Sequence, residues 1–133
     1  MTAHNSRILV VLPAYNETGK IGRVVEKIKA TGKQVDIVVV DDCSTDDTSA
    51  EACDAGAIVI RHEINRGVGA GIRSGIKFGI ENGYDICVIM SGDDQHEANE
   101  LGRVIDPIVN NEYDFIQGSR RMKGGMVIND RPL

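Results

Sequence analysis

Short apolar runs alternate with amphipathic stretches along the chain. The apolar runs are rich in β-branched residues, which is typical of strands in a parallel sheet that is covered on both faces. They occupy residues 8–12, 35–40, 57–61 and 86–90, and a last short run covers residues 113–116. The pattern therefore predicts five strands.

The stretches between the strands carry helical patterns. Within residues 19–31, apolar side chains recur at intervals of three and four residues, and Gly32 is placed to end that helix. Helices are expected over residues 19–31, within 45–56, from the glycine-rich segment 66–71 to about 82, and over 101–109. Pro107 should bend the last helix, and after Lys123 the chain shows no clear periodicity.

The alternation of strands and helices predicts an α/β fold. The expected architecture is Rossmann-like, with a mostly parallel sheet, helices on both faces and right-handed crossovers. The length of 133 residues suits one domain with one core but is short for an enzyme that holds two substrates. We expect a single domain over residues 1–133, forming part of a larger unit.

Three polar motifs follow predicted strands, at residues 15–17, 41–42 and 91–95. The carboxyl ends of parallel strands share one edge of a sheet, where ligands of such folds bind. Each motif alone is as well explained by capping of the next helix or by an Asx turn. Their convergence favours a binding crevice, and the acidic residues of the third motif favour a phosphorylated ligand held through Mg²⁺ or Mn²⁺.

The charge and composition of the chain argue against some classes of binding partner. The formal net charge of -5 and an aromatic content of 4% argue against a nucleic-acid surface. Cys43, Cys53 and Cys87 lack metal-ligand spacing and are expected to be reduced thiols, as in intracellular proteins. No apolar run is long enough to span a bilayer.

The motifs together resemble those of the family 2 glycosyltransferases with the GT-A fold, within the branch that resembles dolichyl-phosphate mannose synthase. Four motifs in the right order carry this resemblance, which covers nearly the whole chain. They are residues 11–17, residues 38–46, residues 65–70, and residues 118–120 with 123–125. The resemblance implies that the chain is the nucleotide-binding half of the GT-A domain.

The resemblance also implies roles for individual residues at the nucleoside end. The ring of Tyr15, with Pro13, would supply a flat apolar surface, and Glu17 would accept hydrogen bonds from ribose hydroxyls or from a base. Val40 and Asp42 would contact the base, because a carboxylate accepts hydrogen bonds and therefore suits an imide or amide N–H.

At the diphosphate end, the resemblance implies that Asp93 is the catalytic metal ligand, with Gln95 as a neutral oxygen ligand beside it. Ser91 and Gly92 would also contact the nucleotide-sugar, and Arg120 would donate to the phosphates. The family's usual Asp-x-Asp motif has Ser91 in its first position here. Asp94 supplies the missing charge if a turn at Gly92 brings it to the same ion.

The function that this resemblance implies is transfer of a hexose from GDP-mannose or a UDP-sugar to an acceptor such as a polyprenyl phosphate. The metal would neutralise charge on the diphosphate leaving group. The full enzyme would then work in the cytoplasm, at the cytoplasmic face of the membrane. An exposed sheet edge would favour self-association into a homo-oligomer.

Three other functions compete with this interpretation. A nucleotide-sugar-binding module without turnover remains open, because the chain would lack the acceptor half. A dinucleotide oxidoreductase is disfavoured, since Ile72 stands where its fingerprint needs the last glycine. A phosphorelay receiver is disfavoured because its acidic pair should follow the first strand, where this chain has Asn16 and Glu17.

Overall fold

A computed structural model describes residues 7–90 and two further strands. The elements are β1 (Ile8–Ala14), α1 (Ile21–Ala30), β2 (Asp36–Asp41), α2 (Thr48–Asp54), β3 (Ile58–Arg61), α3 (Val68–Glu81), β4 (Ile86–Ile89), β5 (Phe115–Gln117) and β6 (Met126–Asn129). The four strands and three helices predicted before residue 91 are confirmed. The helix predicted over residues 101–109 lies outside the described residues.

The strands form one sheet in the order β3-β2-β1-β4-β6-β5. β1 pairs in parallel with β2 and β4, and β2 pairs in parallel with β3. β6 is antiparallel to both of its neighbours, β4 and β5. The prediction of a mostly parallel α/β sheet is therefore confirmed, with an antiparallel strand between β4 and the edge strand β5.

The expectation of five strands was wrong, because β6 lies in the segment where the sequence shows no periodicity. The strand forms because β4, far away in the sequence, offers a hydrogen-bonding edge. Tertiary pairing therefore decides this element.

β1 continues through Pro13 to Ala14, two residues beyond the predicted end. β4 pairs only with residues 8–11 of β1, whereas β2 pairs with residues 9–14. Pro13 thus lies where β1 has a partner on one side only among the described residues. A missing N–H is tolerated at such a position, and the extension carries Pro13 and Ala14 to the carboxyl edge of the sheet.

Helices cover both faces of the sheet, as predicted. Alternate residues of β1 point to opposite faces, so Val10 and Leu12 join one core cluster and Leu9 and Val11 the other. The first cluster includes the apolar face of α1 and Ala52 of α2. The second is covered by α3.

α3 approaches β1 and β4 closely through glycines spaced four residues apart. A Cβ added to Gly75 would lie 2.2 Å from Cγ1 of Val11, and one added to Gly79 would lie 2.6 Å from Sγ of Cys87. Both distances are shorter than carbon and sulfur atoms tolerate. The glycines therefore set the distance between this helix and the sheet, which in turn places the amino end of α3 beside the ends of β1 and β2.

Two expectations from composition can also be compared with the structure. None of the three cysteines forms a disulfide bond. Over residues 7–90, no helix has the length and apolarity that crossing a membrane requires.

Replacing Gly75 with Ala should destabilise the chain by about 1–3 kcal/mol, because the new methyl group overlaps Val11 in a packed core. Gly69→Ala is the matched control. Gly69 lies on the exposed side of the same helix, where an added Cβ would meet only the Arg73 side chain at 3.5 Å, so the better helix propensity of Ala should leave stability unchanged or raise it by up to about 1 kcal/mol. Urea denaturation measures the free energy of unfolding of each variant. Equal stability of the two variants would contradict the close packing.

Candidate functional site

A pocket opens at the carboxyl edge of the sheet, between the ends of β1 and β2 and the start of α3. Its volume is about 170 Å³. We call it the β1–β2 pocket, and it is lined by Pro13, Ala14, Tyr15, Glu17, Val40, Asp42, Gly67, Val68 and Gly71. This volume is below the range of about 300–1,000 Å³ that holds a whole drug-sized ligand, so the pocket suits one part of a larger ligand.

The structure brings together all five residues that were predicted to contact the nucleoside. Pro13, Tyr15, Glu17, Val40 and Asp42 all line this one pocket. They come from β1, from β2 and from the residues that follow each of these strands, so their meeting depends on the parallel pairing of β1 with β2. Their role in binding stays a prediction.

The remaining predicted site residues lie outside the described residues: Ser91, Gly92, Asp93, Asp94, Gln95 and Arg120. Met90, the residue before them, donates its N–H to the carbonyl of Val11 at 3.0 Å. The strand that leads to the acidic motif therefore ends at the same sheet edge as the pocket. Within residues 7–90, no group of three or more His, Cys, Asp or Glu side chains is arranged to hold a metal.

Sequence reasoning missed Ala14 and Val68 as pocket residues. Val68 is an exposed apolar residue at the first position of α3. Nothing in the local sequence links this position to β1. Its exposure, which only the fold reveals, is what marks this side chain as part of the pocket surface.

Asp42 organises the segment that connects β3 to α3. One carboxylate oxygen, Oδ1, accepts from the N–H of Arg66 at 2.8 Å, and Oδ2 accepts from the N–H of Gly67 at 2.7 Å. The backbone carbonyl of Asp42 accepts from Nδ2 of Asn65 at 3.3 Å. The same aspartate that lines the pocket thus fixes the loop that forms its opposite wall.

The pKa of Asp42 is lowered in the folded chain. Burial of the carboxylate acts in the opposite direction and would raise the pKa, but the hydrogen bond from His62 and those from the N–H groups of Arg66 and Gly67 outweigh it. The carboxylate is therefore ionised at neutral pH.

The neighbouring carboxylate, Asp41, has a structural role. It is completely buried, and its Oδ1 accepts from both the N–H and the hydroxyl of Ser44, at 2.9 Å and 2.5 Å. Its Oδ2 accepts from the hydroxyl of Ser49 and from the guanidinium of Arg61, the latter at 3.0 Å. Burial would raise the pKa of Asp41, but these donors outweigh it and lower the pKa.

The loop after β1 is held by side chains from the segment after β2. Ser44 Oγ accepts from the N–H of Asn16 at 2.8 Å, and Thr48 Oγ1 accepts from the N–H of Glu17 at 2.9 Å. Glu51 accepts from the N–H groups of Gly19 and Gly22, both at 2.8 Å, and so caps α1 from a neighbouring helix. The backbone that carries Tyr15 and Glu17 is therefore fixed by partners distant in sequence.

Asp46 links the same two loops. Its Oδ1 accepts from the N–H and hydroxyl of Thr48 at 3.0 Å and 2.5 Å, and its Oδ2 accepts from the N–H of Thr18 at 3.2 Å. Burial would raise the pKa of Asp46, but these hydrogen bonds lower it to about 2.

Asp46→Ala should therefore cost about 1 kcal/mol of stability near neutral pH, as the loss of a capping side chain does. Because the folded pKa lies below the ordinary value of 3.8, the contribution is fully present above that value and is lost as pH falls towards about 2. Urea denaturation of the wild type and the variant between about pH 6 and about pH 2.5 measures the difference, which should shrink as the pH falls.

Asp47→Ala is the matched control for this experiment. It removes an equal charge one residue away, at the residue before α2 that makes no capping hydrogen bond through its side chain. An equal loss of stability in the two variants at neutral pH would show that charge alone, and not the Asp46 hydrogen bonds, is responsible.

The chain is similar in sequence to enzymes that transfer sugars. The polyprenol monophosphomannose synthase of Mycolicibacterium smegmatis is 36% identical over 129 residues, which cover 92% of this chain and 48% of that relative. The chain spans about half the length of several curated relatives that it matches.

Solved structures with the same fold include glucosyl-3-phosphoglycerate synthase from Mycobacterium tuberculosis. The complex with Mn²⁺, UDP and glucosyl-3-phosphoglycerate has a TM-score of 0.74 at 21% identity and covers 94% of this chain and 57% of that one. The complex with Mn²⁺, UDP-glucose and phosphoglyceric acid has a TM-score of 0.65 at 26% identity and covers 81% and 41%. The GT-A fold that the sequence motifs implied is thus confirmed.

The family model for glycosyl transferase family 2 matches residues 9–133, which is almost the whole chain. This match includes the residues of the β1–β2 pocket and the acidic motif that follows β4. The chain belongs to glycosyl transferase family 2.

Proposed function

We propose that the chain binds the nucleotide-sugar donor of a hexosyl transfer, with the nucleoside in the β1–β2 pocket. The observation that carries this proposal is the convergence of an aromatic ring, small apolar residues and two carboxylates in one pocket at the carboxyl edge of a parallel sheet. Ligands of open α/β sheets bind at this edge. The pocket volume fits the proposal that it receives only the nucleoside end.

Each wall of the pocket has a chemical role in this proposal. Tyr15 is 47% exposed, so its ring has a free surface on which a base can stack. Val40 and Pro13 supply apolar contacts, while Glu17 and Asp42 accept hydrogen bonds from the ribose and the base. These residues would thus recognise the nucleoside end of the donor.

The diphosphate would lie towards the carboxyl end of β4, where the acidic motif begins. Asp93 and Gln95 would hold Mg²⁺ or Mn²⁺, since carboxylate and amide oxygens are the donors that these ions accept. Such an ion supplies charge neutralisation on a diphosphate leaving group. Ser91 and Gly92 would contact the donor, and Arg120 would donate hydrogen bonds to the phosphates.

The relatives support this class of donor and suggest the acceptor. A structural relative binds UDP-glucose with Mn²⁺, and a sequence relative makes polyprenol monophosphomannose. We therefore propose GDP-mannose or a UDP-hexose as donor and a polyprenyl phosphate as acceptor, with the reaction at the cytoplasmic face of a membrane. An assay of sugar transfer to a polyprenyl phosphate separates this enzyme from a module that only binds the donor.

Metal dependence tests the diphosphate end. Calorimetry with GDP, UDP, GDP-mannose and UDP-sugars should show binding that strengthens in Mn²⁺, and Asp93→Ala should remove most of this gain because it removes a charged metal ligand. Asp94→Ala is the matched variant, since it tests whether the adjacent carboxylate replaces the one lost at Ser91. Binding by Asp93→Ala in Mn²⁺ that equals the wild type would refute the metal assignment.

Tyr15→Ala tests the nucleoside end. Loss of the ring should weaken binding of UDP or GDP by about 1–3 kcal/mol, the usual contribution of a base stacked on an aromatic side chain. Stability should change by less than about 0.5 kcal/mol, because the ring is half exposed. Tyr15→Phe keeps the ring and should bind like the wild type; equal binding by the Ala variant would place the base elsewhere.

A further inference from the structure

The ring of His62 connects the β1–β2 pocket to the middle of α3. It is buried, with 7% of the residue exposed. Its Nδ1 lies 2.8 Å from Oδ1 of Asp42, and its Nε2 lies 2.8 Å from Oγ of Ser74. Both ring nitrogens are therefore used, and the imidazole forms a bridge from a pocket carboxylate to a helix.

The partners fix which nitrogen of the ring carries a proton. The ionised carboxylate of Asp42 can only accept a hydrogen bond, so Nδ1 must carry the hydrogen. Nε2 then accepts from the hydroxyl of Ser74 when the ring is neutral, or donates to that hydroxyl when the ring is charged. Because a serine hydroxyl can serve in either direction, the bridge persists in both charge states.

The bridge determines how many acceptor positions Asp42 offers to a ligand. Oδ1 receives two hydrogen bonds, one from His62 and one from the N–H of Arg66. Oδ2 receives one, from the N–H of Gly67, among the residues that the structure describes. Each carboxylate oxygen has two lone pairs, so these donors leave one acceptor position, on Oδ2.

From this arrangement we infer that His62 is a positioning residue for base recognition: it occupies Oδ1 of Asp42 and so limits this carboxylate to a single acceptor position in the pocket. The inference rests on the proposed function and deepens it. A terminal carboxylate torsion is soft, so the bond from His62 also fixes the rotation of the group. Ser74 contributes by holding the ring from the opposite side.

The limit to one acceptor has a consequence for the choice of base. The imide edge of uracil presents one N–H, which a single acceptor satisfies. Guanine presents two neighbouring N–H donors, which pair best with both oxygens of a carboxylate. Removing the hydrogen bond from His62 frees a position on Oδ1 and should therefore shift the relative affinity towards guanine.

Two amide substitutions test the roles of the two imidazole nitrogens separately. His62→Asn places an N–H donor near the position of Nδ1 and keeps the bond to Asp42, whereas His62→Gln extends towards Ser74 and loses it. Calorimetry with UDP and with GDP in Mn²⁺ should give His62→Asn nearly the wild-type ratio of affinities. His62→Gln should bind UDP about tenfold more weakly because Asp42 is no longer held in one rotation, a size typical of coupling within one hydrogen-bond network. It should lose distinctly less affinity for GDP, which gains the position freed on Oδ1.

Urea denaturation of the same variants separates positioning from general stability. Equal losses for both nucleotides in both variants, in proportion to their stability, would overturn the inference, because a merely structural histidine does not affect base preference. If the variants at the buried His62 do not fold, Ser74→Ala provides the test instead. It removes one partner of the ring and should weaken UDP binding by about twofold to tenfold, and an unchanged affinity for UDP would also overturn the inference.

If the proposed function itself is wrong, the same calorimetry gives a different outcome. A wild-type chain that binds neither UDP nor GDP would refute nucleotide binding itself and, with it, this inference. A wild-type chain that binds nucleotides while the two amide variants behave alike would refute only the role of His62.

Discussion

A buried negative charge, the carboxylate of Asp41, holds together the loops that carry the candidate site. A carboxylate removed from water is costly unless hydrogen bonds and an opposite charge replace its solvation. Here Ser44, Ser49 and Arg61 supply them. The same Ser44 hydroxyl that donates to Asp41 accepts from the N–H of Asn16, so the charge at the end of β2 also fixes the loop after β1.

Two adjacent aspartates therefore serve opposite faces of the sheet. Successive strand residues point to opposite sides, and Asp41 bonds to Ser49 of α2 while Asp42 bonds to the segment before α3. One carboxylate stabilises the scaffold and the other lines the β1–β2 pocket. Both depend on the register in which β1 and β2 pair, because that register brings Ala14 opposite Asp41.

Among the residues that the structure describes, the two with a positive φ other than glycines lie at the same edge. Asn16 and Cys43 have φ angles of 53° and 66°, a region that residues other than glycine seldom occupy. Asn tolerates this conformation, and its Oδ1 accepts from the N–H of Thr45 at 2.8 Å. Each of the two is the second residue after its strand, β1 or β2, so the energetic cost falls where the chain must turn sharply to present pocket residues.

The sequence alone determined the parallel α/β framework, because continuous apolar runs and helical spacing are local signals that survive in the fold. The position of Tyr15, Glu17 and Asp42 after predicted strands also indicated that they share one edge of the sheet. The family resemblance added Pro13 and Val40 to the same site. Only the tertiary structure decided β6, whose four residues form a strand because β4 offers an edge. Only the tertiary structure also brought His62, Ser74 and Val68 to the pocket or to its carboxylate. The pairing of β3 with β2 places His62, and the glycines of α3 let the helix that carries Ser74 and Val68 approach β1.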